Sequence, residues 1–139
     1  MKPWVFCVIL LEKMPGRKIP LITNQIYHVV NRGIASQPVF FDKRDYKRIL
    51  EASFYYQNQN PPLSYSHFLR LPTQRRTEVL TELNAQGKFL VEIIALSLLP
   101  NHFHFLLKQL RDEGISFFMS NLTNSYTRYS NTKNERVGP

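Results

Sequence analysis

The alternation of apolar and polar residues is clearest between residues 88 and 109. Lys88 to Leu99 (KFLVEIIALSLL) is a nearly continuous apolar run, as expected of a central strand. Pro100 and Asn101 predict a turn after it, because proline fixes φ and asparagine tolerates turn geometry. A second β-favouring run occupies residues 102–109. Together the two runs and the turn predict a β-hairpin.

The second strand of this hairpin carries different side chains on its two faces. Successive side chains of a strand point to opposite sides, so His102 and His104 share one face and Phe103 and Phe105 the other. The aromatic face suits a core, which leaves two imidazoles side by side on the opposite surface. Two neutral imidazoles at this spacing are able to bind one divalent metal. The alternative is a pair of solvated or hydrogen-bonded strand histidines without a ligand.

Other segments predict one more strand and two amphipathic helices. Residues 25–32 (QIYHVVNR) are rich in β-branched and aromatic residues and predict a strand that Gly33 ends. Helical spacing predicts a helix over about 43–58, with Asp42 as its N-cap. A second helix is predicted over about 115–131. Its apolar stripe consists of Ile115, Phe118, Met119, Leu122 and Tyr126.

The segment at about 58–87 has the least regular pattern and is expected to be a surface insertion. A short helix is predicted around 73–85, with Thr73 as its cap and an apolar side of Val79, Leu80 and Leu83. Arg70, Arg75 and Arg76 add positive charge, which indicates either a nucleic-acid contact or a solvated face.

The first 13 residues (MKPWVFCVILLEK) contain an apolar run that is too short to span a bilayer and lacks a small-residue cleavage site. We expect residues 1–13 to be an upstream extension, with Met14 as the initiator and the domain at 14–139. The alternative is an additional edge strand. Neither interpretation implies a membrane anchor.

Composition narrows the class of protein. A chain of 139 residues with 43% hydrophobic residues indicates one globular domain and excludes a disordered chain. The net charge of +8 is typical of a protein that binds polyanions. Because Cys7 is the single cysteine, an internal disulfide framework and a thiolate metal cluster are excluded. The simplest compartment is a reducing cytoplasm.

Three separated motifs resemble one protein family. The sequence PNHFH (100–104), followed by an apolar run, resembles the histidine-hydrophobe-histidine (HUH) strand of single-tyrosine transposases. The sequences YHVVNRG (27–33) and FFDKRDY (40–46) resemble the first strand and the entry to the first helix of the same proteins. The resemblance is closest to the REP-associated tyrosine transposases of the IS200-like superfamily and extends over about residues 15–139.

This resemblance implies a fold and a reaction. The fold is an α+β, ferredoxin-like antiparallel sheet with helices on one face, here without its last strand and without the helix of the nucleophile. The reaction is DNA transposition on single-stranded, hairpin-bearing DNA, in which a tyrosine hydroxyl attacks a phosphodiester, forms a 5′-phosphotyrosine link and frees a 3′-OH. A divalent metal, Mg²⁺ or Mn²⁺, is expected at His102 and His104.

Further residues are candidates for the same site or for contacts with DNA. His28 is either a sheet histidine bonded to a neighbour or a contact near the site, and Asn101 is expected near the site as well. The candidate DNA contacts are Arg32, Lys108, Arg128 and Tyr129.

A nucleophile motif of the family type does not occur before Pro139, so we predict a C-terminally truncated member that does not cleave DNA. Tyr126 and Tyr129 are weak candidates for the nucleophile, and Tyr126 is expected in the core. The alternatives are a domesticated, non-catalytic nucleic-acid-binding module and a small metal-binding protein unrelated to nucleic acid.

Overall fold

The computed structural model describes residues 8–10, 20–33 and 37–134 of the chain. They form an α+β fold with a three-stranded antiparallel open sheet, a short extra edge strand and four helices. The strands are β1 (Val8–Leu10), β2 (Ile26–Arg32), β3 (Val91–Leu99) and β4 (His102–Gln109). The helices are α1 (Lys43–Tyr56), α2 (Tyr65–Arg70), α3 (Thr73–Gln86) and α4 (Gly114–Lys133).

The strand order β1-β2-β4-β3 places the predicted histidine strand, β4, inside the sheet. The predicted hairpin of β3 and β4 is confirmed, and β2 pairs antiparallel with the other side of β4. At the outer edge, β1 pairs parallel to β2, with Val8 opposite His28. The structure therefore contains the additional edge strand that was the alternative interpretation of residues 1–13. The other residues of that segment lie outside the described part of the chain.

The predicted division of β4 into two faces is confirmed. Its residues alternate between half-buried and buried, and Phe103, Phe105 and Leu107 are all buried in the core. The predicted stripe of α4 packs in the same core, where the rings of Phe105 and Phe118 meet edge to face at 5.6 Å. The helices therefore cover the aromatic face of the sheet, and the histidines lie on the opposite face.

The segment at about 58–87 differs from the expected surface insertion. It contains a helix, α2, that the pattern did not predict, and both of its helices contribute to the core. The buried residues are Tyr65, Phe68, Val79 and Leu83. Thr73 is not a cap but the first residue of α3, and Pro72 before it makes no side-chain capping bond. Leu80 is exposed. A helix of six residues is too short to display a periodic pattern, so packing rather than periodicity identifies α2.

Gly114 is the first residue of α4. A Cβ atom at this position would lie 2.2 Å from the carbonyl oxygen of Leu90. The start of α4 therefore approaches the chain before β3 so closely that only glycine fits.

An ionic network joins the beginning of α1 to the end of α4. Asp42 caps α1 as predicted, accepting hydrogen bonds from the backbone N–H groups of Arg44 and Asp45. Lys133 Nζ lies 2.7 Å from a carboxylate oxygen of Asp42 and 2.7 Å from one of Asp45. Tyr129 donates its hydroxyl to the buried Asp45 at 2.9 Å. These contacts hold the start of α1 and the end of α4 together.

The network lowers the pKa of both carboxyl groups. The hydrogen bond from Lys133 is the main cause that lowers the pKa of Asp42 to about 2. Burial alone would raise the pKa of Asp45, but hydrogen bonds from Lys133, the Phe41 N–H and Tyr129 together bring it below the ordinary value. Both carboxylates are thus held in the charged form.

Replacing Asp45 by asparagine is expected to lower the free energy of unfolding by about 2–4 kcal/mol, because Lys133 loses a buried ionic partner. Glu78→Gln, which makes the same chemical change in an exposed ion pair with Arg75, is the control and should cost about 0–1 kcal/mol. Urea unfolding at pH 7 measures both. Equal effects would contradict a stabilising role for the network.

The dependence of the free energy of unfolding on acidic pH follows from the same lowered pKa values. Groups with a lowered folded-state pKa contribute stability above the unfolded pKa, and that contribution is lost as the pH falls through the folded pKa. For Asp42 the loss runs from about pH 4 down to about pH 2. Asp42→Asn should flatten the stability curve in this range.

Candidate metal centre and nucleic-acid interface

The candidate site is the face of the sheet opposite the helices, which we call the histidine face. Paired residues of antiparallel strands point to the same side. Arg32 of β2 is paired with His102, Val30 with His104, and Ile26 with Lys108. The register therefore brings predicted residues from two distant parts of the sequence onto one face: His28, Arg32, His102, His104 and Lys108.

Three imidazoles lie in contact on this face. His28 Nε2 is 2.8 Å from His104 Nδ1, a hydrogen-bond distance, and the two rings are stacked with centroids 5.0 Å apart. The His102 and His104 rings meet at 74° with centroids 4.9 Å apart. His28 is therefore a sheet histidine bonded to a neighbour, the first of the two expectations for it, and that neighbour is one of the predicted metal ligands.

The electrostatics of the face favour a neutral His104. Burial, followed by the nearby charges of His102, His28 and Arg32, lowers the pKa of His104. A metal binds the lone pair of a neutral imidazole, so a lowered pKa keeps this residue competent as a ligand near pH 7.

The turn between β3 and β4 positions the other histidine. His102 Nδ1 lies 2.7 Å from the side-chain oxygen of Asn101. The turn is itself fixed, because the Asn101 carbonyl accepts from Gly33 N–H and the Pro100 carbonyl accepts from Val39 N–H. Asn101 therefore contacts one of the two predicted metal ligands directly through its side chain.

The histidine pair offers a metal two protein ligands. Residues 8–10, 20–33 and 37–134 contain no cluster of three or more His, Cys, Asp or Glu side chains suited to a metal ion. Among these residues, the Nε2 atoms of His102 and His104 have no hydrogen-bond partner, whereas both Nδ1 atoms are engaged. The chemistry of the donors fits a divalent ion whose other positions are filled by water or phosphate oxygens.

The two candidate tyrosines lie away from the histidine face. Tyr126 is buried in the core, as predicted, and donates its hydroxyl to the Val39 carbonyl at 2.7 Å. Tyr129 is half-buried in the helical layer, where its hydroxyl bonds to Asp45 and its ring lies 4.7 Å from the guanidinium carbon of Arg48. Burial is the main cause that raises the pKa of Tyr129. Arg128 is exposed on the same helix. Tyr126, Tyr129 and Arg128 are therefore not part of the histidine face.

The sequence did not indicate a cavity of about 220 Å³ beside the end of β2. It lies on the helical side of the sheet, because its walls include the core residues Phe103 and Tyr126. Arg32 also lines the cavity, and the same residue is paired with His102 on the histidine face. Its polar lining consists mainly of Asn31, Gln37, Thr123, Thr127 and Asn131. These neutral side chains come from separate segments of the chain. No local sequence motif therefore indicates the cavity.

Compared with models of protein families, with curated proteins and with solved structures, the chain matches none significantly. Across the part of the chain that the structure covers, none of the helices combines the length and apolar character that a membrane span requires.

Proposed function

We propose that this chain is a REP-associated tyrosine transposase of the IS200-like superfamily that binds single-stranded, hairpin-bearing DNA on the histidine face. The observation that carries the proposal is the placement of His102 and His104 side by side on β4, opposite the aromatic core. The succession of β2, α1, the β3–β4 hairpin and α4 supports a ferredoxin-like arrangement for this domain.

The residues of the histidine face suit the proposed reaction. Two imidazoles would hold a divalent metal, Mg²⁺ or Mn²⁺, which supplies a Lewis acid at the scissile phosphate when bound. Arg32 is the cross-strand neighbour of His102, Lys108 lies further along β4 beyond His104, and both would contact neighbouring phosphates. Neither Tyr126 nor Tyr129 is assigned as the nucleophile, since both hydroxyls donate hydrogen bonds within the helical layer.

Because both tyrosine hydroxyls are hydrogen-bonded away from the histidine face, a second candidate function is favoured. It is a nucleic-acid-binding module that holds hairpins without cutting them. The two candidates differ in covalent chemistry. Incubation with Mn²⁺ and a labelled hairpin oligonucleotide, followed by a denaturing gel, tests whether this chain carries a nucleophile. Binding without a covalent adduct is the expected result, and an adduct that disappears in Tyr126→Phe or Tyr129→Phe would assign the nucleophile to that tyrosine.

Binding of hairpin DNA with a single-stranded flank is expected to weaken steeply with salt, because phosphate contacts release counterions. The double variant Arg32→Gln, Lys108→Gln should bind more weakly and reduce the log–log salt slope by about 1 for each phosphate that is no longer neutralised. Fluorescence anisotropy between 50 and 200 mM salt, about the range in which such effects are large, measures the slope.

The matched control is Arg70→Gln, Arg75→Gln, which removes the same charge from the exposed side of α2 and α3. It should leave the slope nearly unchanged. If both double variants weaken binding equally, only the net charge matters and the histidine face is not the interface.

A further inference from the structure

Both predicted metal ligands have the same nitrogen engaged. His102 Nδ1 is 2.7 Å from Asn101 Oδ1, and His104 Nδ1 is 2.8 Å from His28 Nε2. The two partners come from different places, one from the hairpin turn and the other from the neighbouring strand. Two independent parts of the fold therefore each provide a hydrogen-bond partner for the Nδ1 atom of a predicted ligand.

The hydrogen bond to Asn101 determines which ring nitrogen of His102 carries a proton. An amide oxygen only accepts, so His102 Nδ1 carries the hydrogen and its Nε2 keeps the lone pair in the neutral ring. The partner of His104 is a ring nitrogen, which either donates or accepts. If His28 Nε2 accepts, His104 has the same tautomer as His102, and both rings present a lone pair at Nε2.

We propose that His28 and Asn101 are positioning residues that hold His104 and His102 as Nδ1–H tautomers, so that a divalent metal is bound through both Nε2 atoms. This inference rests on the metal site of the proposed function. Histidine ligands typically donate their second ring N–H to an oxygen or other acceptor, which fixes both the ring orientation and the tautomer. Here the acceptors are the Asn101 amide oxygen and the His28 ring.

The distance between His28 and His104 argues against a metal shared by His28 Nε2 and His104 Nδ1. Two nitrogens bound to one ion at about 2.1 Å lie about 3.0 Å apart or more in octahedral or tetrahedral geometry. The observed 2.8 Å between these two atoms is shorter and is an ordinary hydrogen-bond length. The two nitrogens are thus arranged to share a proton rather than a metal, which leaves Nε2 of His104 for the ion.

Long-range ¹H–¹⁵N spectra of the metal-free protein test the tautomers directly. We expect Nδ1–H forms for both His102 and His104 in the wild type. His28→Leu removes the acceptor and should shift His104 toward the Nε2–H form, while His28→Gln, which restores an acceptor at a similar reach, should restore the Nδ1–H form. An Nε2–H form of His104 in the wild type would overturn the proposal, whether or not the variants fold.

Calorimetric titration with Mn²⁺ and Co²⁺ tests the consequence for metal binding. His28→Leu is expected to weaken affinity about 10–100-fold, with recovery in His28→Gln. Unchanged affinity in His28→Leu would overturn the positioning role. If the wild type shows the expected tautomers but binds neither metal, the metal site of the proposed function fails while the assigned hydrogen bonds stand.

Discussion

Replacing Phe105 by alanine is expected to lower the free energy of unfolding by about 3–5 kcal/mol, the range for removing a buried phenyl ring. Phe105 is one of the largest fully buried side chains, and it meets Phe103 and Phe118 edge to face at 5.7 and 5.6 Å. A domain of this size is stable by about 5–15 kcal/mol, so the variant loses a large part of its stability. Urea unfolding followed by circular dichroism measures the change.

The neighbouring residue is the control for this prediction. Leu106 occupies the same strand but is half-buried on the histidine face. Leu106→Ala should cost about 1–2 kcal/mol, because it removes less buried area. If Leu106→Ala were the more damaging change, the assignment of the two faces of β4 would be reversed, and the histidines would lie in the core.

The elements that the sequence predicted are those whose pattern is long and local. The period-2 alternation of β4 and the helical stripe of α4 each extend over several repeats, so burial on one face is visible in the sequence. Asp42 was found as the cap of α1 because capping depends on residues two or three positions away. These predictions needed no knowledge of the tertiary structure.

The features that escaped prediction depend on residues that are distant in the sequence. The bond between His28 and His104 joins positions 76 apart, and it exists because the register of β2 against β4 brings them together. Local patterns do not specify that register between non-consecutive strands. The same holds for Lys133 and Asp45, which are 88 positions apart. The helix α2 was missed for a different reason, its short length.

The histidine site was therefore predicted in part. Its two central residues follow from one motif on one strand, and the structure places Arg32 and Lys108 with them. Arg128 and Tyr129 were candidates because Tyr129 does not continue the apolar stripe of α4 and Arg128 lies beside it, yet α4 carries both in the helical layer. Exposure on a helix does not show which face of the sheet that helix covers.

The double variant His102→Ala, His104→Ala is expected to abolish metal binding. Calorimetric titration of the wild type with Mn²⁺ should give a weak signal, because two imidazoles bind while water fills the remaining positions. Co²⁺ or Ni²⁺ should bind more tightly, since imidazole suits these ions better and the Irving–Williams order favours them. The variant should show no signal above dilution with any of the three ions.

His67→Ala is the matched control, because His67 is exposed on α2 and bonds only within its own helix start, to Ser64. This variant should bind as the wild type does. The single variants His102→Ala and His104→Ala should each lose nearly as much affinity as the double variant, because one imidazole alone holds a divalent ion poorly and the two ligands act together. An isotherm that survives in the double variant would assign the metal to another part of the chain.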